Sequence, residues 1–506
     1  MKLKMFIPAL LLTCAPLCAA GNAGKPDLPE GSVMENNDKY PGVVSYTLKN
    51  GLKLLILEKK FTPTVSFTTI FKVGNVDCVS GKTGLAHLFE HIAFKGTKTI
   101  NAKNYTLEKQ KLDEEEKIEQ AILAEKNSVS PDQEKLKALQ EEFIAAQKEA
   151  EELVEKDEYW KIYNNLGESG MNAFTSADYT GYVVSLPADR LEHWFIIESD
   201  RFKNPVLREL YKERSVIMEE RRGNEADPNR ITWEALNTAA FDAHPYHNPV
   251  IGWMDDIERI TRTDAEDFHN KFYVPQNATI AIVGDVNPAE VVSYAEKYLG
   301  DWEAKPAAPQ IYTREPGQKA EKTVNVFFDA QPLIKIGYHN PGMFDSDAPA
   351  LFMAAEVLSS GKTGRLYKNL VEEKHMALYA SAGYASASRY PSLFVIAAAP
   401  KAPYTLQDLD KAILDEVEKL KNNPPAQWDL DKILNNYEAE LAANMESNEE
   451  MSRNLATNEE ILGDWKFDWK FLDKLRQVTP QQISDAAKKY LTRANRTAVY
   501  LQPENK

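Results

Sequence analysis

Short apolar runs rich in β-branched residues open the chain after residue 40. Val43–Leu48, Leu52–Leu57 and Val65–Val73 predict three strands, with Asn50-Gly51 as a hairpin turn between the first two. The apolar period then lengthens, and Thr83–Phe94 predicts a helix. Residues 104–164 differ from their surroundings, being dominated by Glu, Lys, Gln, Ala and Leu. Ile118 and Ile122, then Leu136, Leu139 and Phe143, recur as one helical stripe. Ser130-Pro131-Asp132-Gln133 divides the stretch as a capping box with proline at the first helical position. The pattern predicts a long, exposed helical hairpin, read as a solvated insertion in preference to a partner-binding arm.

Farther on, strands are expected at Gly181–Leu186 and Ala278–Val283, with helices over Asp189–Phe202, Leu207–Asn224, Arg262–Phe272 and Pro288–Leu299. A Pro/Ala/Gln-rich stretch, residues 304–320, reads as a linker. A second set follows, with strands near Val324–Phe328, Ile334–His339, Leu378–Tyr384 and Leu393–Ala398. Its helices run over Ala348–Leu358, Thr405–Lys421, Asp429–Met445 and Pro480–Tyr490. The class is α+β. Each half ends on a helix followed by a strand, Ala278–Val283 in one and Thr497–Leu501 in the other, so a duplicated fold is expected. The division is a lead at 21–40, a first domain at 41–303 and a second at 321–506.

The first twenty residues carry Lys2 and Lys4, an apolar run from Met5 to Leu17 and small residues at Ala19 and Ala20. They read as a secretory leader, which places the mature chain in the periplasm or outside the cell without a stable membrane anchor. Two of the three cysteines lie in that leader. Cys78 alone would remain, so no internal disulfide is expected, and it reads as a small buried residue. A length of 506 residues calls for more than one core. A formal charge of −16 argues against nucleic-acid binding, which needs a basic surface.

Candidate chemistry sits on the first predicted helix, in His87-Leu88-Phe89-Glu90-His91. Residues four apart differ by roughly 40° around a helix, so both imidazoles point one way, with Glu90 on the same face. Neutral imidazoles are good zinc ligands, and a catalytic zinc takes three protein ligands with one position left for water. The carboxylate beside them can take the proton of that water during attack. The third ligand has to come from elsewhere. Glu213 and Glu220, two turns apart on the Leu207–Asn224 helix, both qualify, and spacing does not choose between them. Gly81-Lys82-Thr83 and Gly361-Lys362-Thr363 lack the earlier glycine of a phosphate loop, and His244 and His247 read as ordinary loop histidines.

Several blocks in order resemble the pitrilysin/insulinase family of zinc metallopeptidases with an inverted zinc motif, in particular the single-chain halves that work in pairs as processing peptidases. They are Gly81–Thr97 around the zinc motif, Gly170–Ser176, Glu213–Glu220, His244–Tyr246 with Pro249–Gly252, and Gly364–Tyr367. The resemblance implies two homologous α/β roll domains, each a mixed or antiparallel sheet with helices packed on one side, the hairpin being inserted in the first. It implies one Zn2+ held by His87, His91 and Glu220, Glu90 as general base, and Glu213 as a carboxylate behind the ligands. Asn172, Ala173, Phe174 and Thr175 would hold the backbone of a peptide substrate on an edge strand, and Phe174 would help form an apolar side-chain pocket. The activity implied is endopeptidase cleavage of short or unfolded peptides. The alternative is a catalytically silent scaffold subunit of the same fold. One departure stands out. Where the family carries an arginine and a tyrosine in its second-type domain, this chain has Val371 and Leu378, and Tyr379 is one residue off. A homodimer or a heterodimer with a related subunit supplying that pair is therefore expected, as is an opposite-facing Tyr379 unless a bulge intervenes.

Overall fold

The computed structural model describes residues 30–37, 40–384 and 388–504; the expected leader, residues 1–20, lies outside them. Among the described residues, seven strands form the first sheet: β1 (Val33–Asn37), β2 (Tyr40–Thr47), β3 (Lys53–Glu58), β4 (Thr64–Phe71), β5 (Ser169–Thr175), β6 (Thr180–Pro187) and β7 (Ala278–Gly284). Their order is β1-β2-β3-β7-β4-β6-β5, with β3 and β7 parallel and the other pairs antiparallel. The second sheet holds β8 (Lys322–Phe327), β9 (Leu333–His339), β10 (Ala377–Tyr384), β11 (Leu393–Pro400) and β12 (Arg496–Gln502), in the order β10-β11-β9-β12-β8. One parallel pair, β8 with β12, again starts a run that continues antiparallel. The five strands β3-β7-β4-β6-β5 thus recur as β8-β12-β9-β11-β10, which makes the chain an α+β protein of two like-built sheets. β5 and β10 are the matching open edges.

Seven helices of the first half matter below: α1 (Leu85–Ile92), α2 (Tyr105–Lys126), α3 (Gln133–Glu151), α4 (Glu158–Leu166), α5 (Leu191–Lys203), α6 (Leu210–Glu225) and α7 (Pro228–Ala240). α1 and α5 pack against one face of the first sheet in a core that includes Phe67, Phe71, Leu88, Phe89, Trp194 and Phe195. The opposite face is not left to solvent. The helix Asn448–Leu462, from the second half of the chain, lies over β4 and β7, burying Met451 and Leu455 against Val43, Leu55, Ile70 and Val283. In return α7 lies over β8, β9 and β12, where Leu236 packs with Leu393 and Val499. The helices that each half packs on its own sheet lie on one side, and each sheet's second face is covered by a helix lent from the other half. β4 and β7 are accordingly buried along nearly their whole length.

Three expectations change. Val33–Asn37, read as part of a lead, pairs with β2 as a strand. α3 starts two residues later than the capping box predicts: Asp132, not Ser130, is the N-cap and accepts from the N–H of Glu134 and Lys135. The α2–α3 hairpin is docked and not freely solvated, since Glu108, Glu115 and Glu119 of α2 are buried against the body of the domain. No helix among the described residues is long and apolar enough to cross a membrane.

Candidate metal centre

α1 starts at a crowded junction. Gly84 (φ +89°) and Gly252 (φ +92°) lie back to back, and a Cβ on either would come within 2.5 Å of a carbonyl oxygen, that of Ile251 or of Thr83. Asn75 Oδ1 accepts from the Gly84 N–H at 3.1 Å, and Asp256 Oδ2 accepts from the Thr83 hydroxyl at 2.6 Å. The Pro249–Gly252 segment thus seats the helix that carries the histidines. Leu88, Phe89 and Ile92 are buried on its core side, which turns His87, Glu90 and His91 toward a cleft.

Across that cleft α6 presents Glu220, whose Oε2 lies 3.7 Å from His87 Nε2 and 3.9 Å from His91 Nε2. These three ligand atoms lie within 4.8 Å of one another, and no other such group of three occurs among the described residues. Nitrogens and oxygens sharing a tetrahedral zinc at about 2.0–2.1 Å sit roughly 3.4 Å apart, so the donor set fits zinc with a small closure. Glu213, the other candidate, lies behind His91: its Oε2 is 3.3 Å from Nδ1, and its Oε1 is 2.6 Å from Lys95 Nζ. The far ring nitrogen of a metal-binding histidine is usually held by such a partner. His87 Nδ1, by contrast, is buried without a hydrogen-bond partner.

The local field follows from these neighbours. Burial, then His91 and Arg230, pull the His87 imidazole down to about 4, so it stays neutral as a ligand must. The hydrogen bond that His91 Nδ1 donates to Glu213 outweighs burial and raises His91. Burial pushes the Glu213 carboxyl up, but His91 and Lys95 more than offset it and hold the group below its ordinary value. Glu90 is raised by burial, against the Thr175 hydroxyl, which donates to Oε2 at 2.6 Å.

That contact gives Thr175 a place the sequence did not suggest, beside the carboxylate. Asn172 is exposed on the open edge of β5, and Ala173 is buried. The Phe174 ring packs edge-on against Tyr179, under Arg453, and reaches the cleft only in part. The cleft, about 770 Å³, also takes in Trp233 of α7 and Ser388 and Ser392 of the second half. A second cavity of about 420 Å³ opens on the other side of His91, between the stacked Phe94 and Trp160 and the pair Lys95 and Lys212. His244 is buried among Phe241, Tyr246 and Tyr390, outside the ligand cluster. Cys78 is buried, which pushes its thiol up to about 12 and leaves it inert.

On β10 the pairing slips between Ala377 and Tyr379, opposite Pro400 and Ala399. Leu378 is the extra residue, and both it and Tyr379 are exposed. An uninterrupted strand would have turned Tyr379 to the opposite face, and the bulge removes that expectation. Val371 lies in a turn of π-helix, Tyr367–Glu373, just before this strand.

The profile described as Insulinase (Peptidase family M16) matches residues 54–116 and 151–253, and the one described as Peptidase M16 inactive domain matches residues 259–437. The chain is similar to the Zinc protease PqqE of Helicobacter pylori, 28% identical over 486 residues that cover 94% of this chain and 96% of that one. It is also similar to the Uncharacterized zinc protease YmxG of Bacillus subtilis, 22% identical over 450 residues covering 88% and 95%. Among solved structures, that of a protease from Helicobacter pylori superposes with a TM-score of 0.77 at 26% identity, covering 92% of this chain and all of that one.

Proposed function

Because the chain belongs to the insulinase (M16) family of peptidases, we propose that it is a zinc-dependent endopeptidase for short or unfolded peptides, exported to the periplasm by its leader. The observation that carries this reading is the convergence of His87, His91 and Glu220 beside Glu90, under an open edge strand. His87 Nε2, His91 Nε2 and a Glu220 oxygen would hold the zinc, and Glu213 fixes the tautomer and ring plane of His91. When bound, zinc supplies a Lewis acid that polarises a peptide carbonyl and makes a neighbouring water acidic. Glu90 takes the water's proton and hands it to the leaving amine, its raised affinity for protons suiting both transfers. Thr175 keeps the Glu90 carboxylate aimed. The free edge of β5, at Asn172 and Ala173, is suited to accept a peptide backbone as one more strand.

Val371 offers no charge for the oxyanion, and Tyr379, after the bulge, restores at most the hydroxyl that Leu378 lacks, so this reading includes a partner of the same build, a second copy or a sister chain, that completes the pair. The test is cleavage of an unfolded peptide by the zinc-loaded chain, alone and with its partner, against Glu90→Gln. General-base removal should cost about 10²–10⁴ in kcat with zinc retained. Cleavage by the chain alone that no partner accelerates would remove the partner from the account. Bound zinc without cleavage in any arm would favour the silent-scaffold reading instead.

A further inference from the structure

One buried guanidinium joins the two helices that carry the metal ligands. Arg208 lies just ahead of Glu209, the left-handed N-cap (φ +54°) from which α6 starts toward Glu213 and Glu220. Its side chain is almost wholly buried and all five of its N–H groups are used. Nη1 donates to the carbonyls of Lys95 at 2.6 Å and Ile100 at 3.0 Å, and Nη2 donates to Thr97 O at 2.7 Å. These are the backbone oxygens of the loop by which the chain leaves α1. The remaining donors, Nε and Nη2, reach both oxygens of Glu108 at 2.6 and 3.1 Å, so the counter-charge comes from the first turn of α2.

Two further observations tie this knot to the site. Gly96, in the middle of the same loop at φ +89°, could not carry a side chain. A Cβ there would meet Ile100 O at 2.5 Å and Arg208 Nη1 at 2.9 Å. Lys95, whose carbonyl Arg208 holds, sends its ammonium to Glu213 at 2.6 Å, and Glu213 in turn meets His91 Nδ1. A path of direct contacts therefore runs from Arg208 through Lys95 and Glu213 to a metal-binding ring. α2 adds to it, since Glu119 accepts from Arg214 at 2.8 Å and Glu116 accepts from Tyr211, both on α6.

We propose that Arg208, with Glu108 as its counter-ion, is a positioning residue for the metal centre: it fixes the exit of α1 against the entrance of α6 and so sets the gap between the histidine pair and Glu220. This gives the inserted hairpin a role through its first turn. The inference rests on the ligand set proposed above.

A residue that merely supports the fold lowers the melting temperature and leaves the zinc affinity of the folded protein alone, whereas a positioning residue lowers that affinity. The experiment measures zinc affinity of the full chain by chelator competition, at a temperature where circular dichroism shows every variant folded. Arg208→Lys keeps the charge but offers three donors from a point in place of five from a fork. It should bind zinc about 10–100-fold more weakly. Leu136→Ala, in the small apolar cluster of the hairpin, serves as a destabilised control and should match the wild type in zinc affinity. Glu108→Gln, which keeps the shape and removes the charge, should also weaken zinc and decides the matter if Arg208→Lys does not fold. Folded variants with wild-type zinc affinity would overturn the inference. A wild type that binds no zinc would instead overturn the ligand set, and this inference with it.

Discussion

Glu90 and Thr175 share a hydrogen bond of 2.6 Å, and its value is open to direct measurement. Thr175→Val keeps the shape and β-branching of the side chain and removes the donor. A hydrogen bond to a charged group contributes about 1.5–3 kcal/mol, so kcat for a peptide should fall by roughly one to two powers of ten with zinc content unchanged. Loss of zinc would mean that Thr175 supports the ligands instead, and an unaltered kcat would mean that Glu90 needs no holding. The residues most legible in the sequence are His87, Glu90 and His91, because their geometry is local: three positions on one helix determine it. Glu213 and Glu220 were not separable that way. Both face the α1 side of α6, and only the fold puts the first behind His91 and the second in front of it. Arg208 was invisible for a similar reason, since its partners are backbone carbonyls that no residue type announces.

Among the elements, strands and helices with a clean apolar period were readable to within a residue or two, as at Arg262–Phe272 and Pro480–Tyr490. The helices that escaped include the two that cross between the halves. α7 and the helix Asn448–Leu462 bury a mixed face: Ser452, Thr457 and Asn458 are buried, and Ser452 meets Thr68 of β4 across 2.7 Å. A polar buried face blurs the apolar period on which sequence reading depends. Their ends were nevertheless marked, by Asp227-Pro228 at the start of α7 and by Ser447 and Gly463 around the other. The acidic face of α2 misled for the opposite reason, because Glu108 and Glu119 look solvated until Arg208 and Arg214 close over them. The lent helix carries its own prediction. Leu455→Ala should cost about 2–5 kcal/mol in chemical denaturation, as expected for a filled core site. A cost near zero would show that this helix does not seal the first sheet.

On the scale of the whole molecule, the two halves also meet at a buried charge cluster beside the cleft. Arg389 of the second half donates to Asp77 at 2.7 Å, and its backbone N–H donates to Asp178, which also accepts the Tyr246 hydroxyl at 2.7 Å. Asp178 lies three residues beyond Thr175, in the turn that ends the edge strand. Burial pushes its carboxyl up to about 6, against Tyr246 and Arg389, which favour the ionised form. A carboxyl that ionises later in the folded than in the unfolded chain contributes stability at low pH, and that contribution drains away as pH rises through its folded value. Between about pH 5 and pH 8 the wild type should therefore lose roughly 1–1.5 kcal/mol that Asp178→Asn does not lose. Parallel stability profiles for the two proteins would refute the assignment.

The duplicated architecture itself was only faintly visible, in the matching final strands, because similarity of topology survives where similarity of residues does not. What joins α1 to α6 at the cleft in this account is a single ion. Zinc-edge anomalous diffraction from crystals of the zinc-loaded protein locates that ion directly. The account predicts one peak per chain, bounded by His87 Nε2, His91 Nε2 and a Glu220 oxygen, with Glu90 beside it and unbound. A peak elsewhere, or none at full zinc loading, would contradict it.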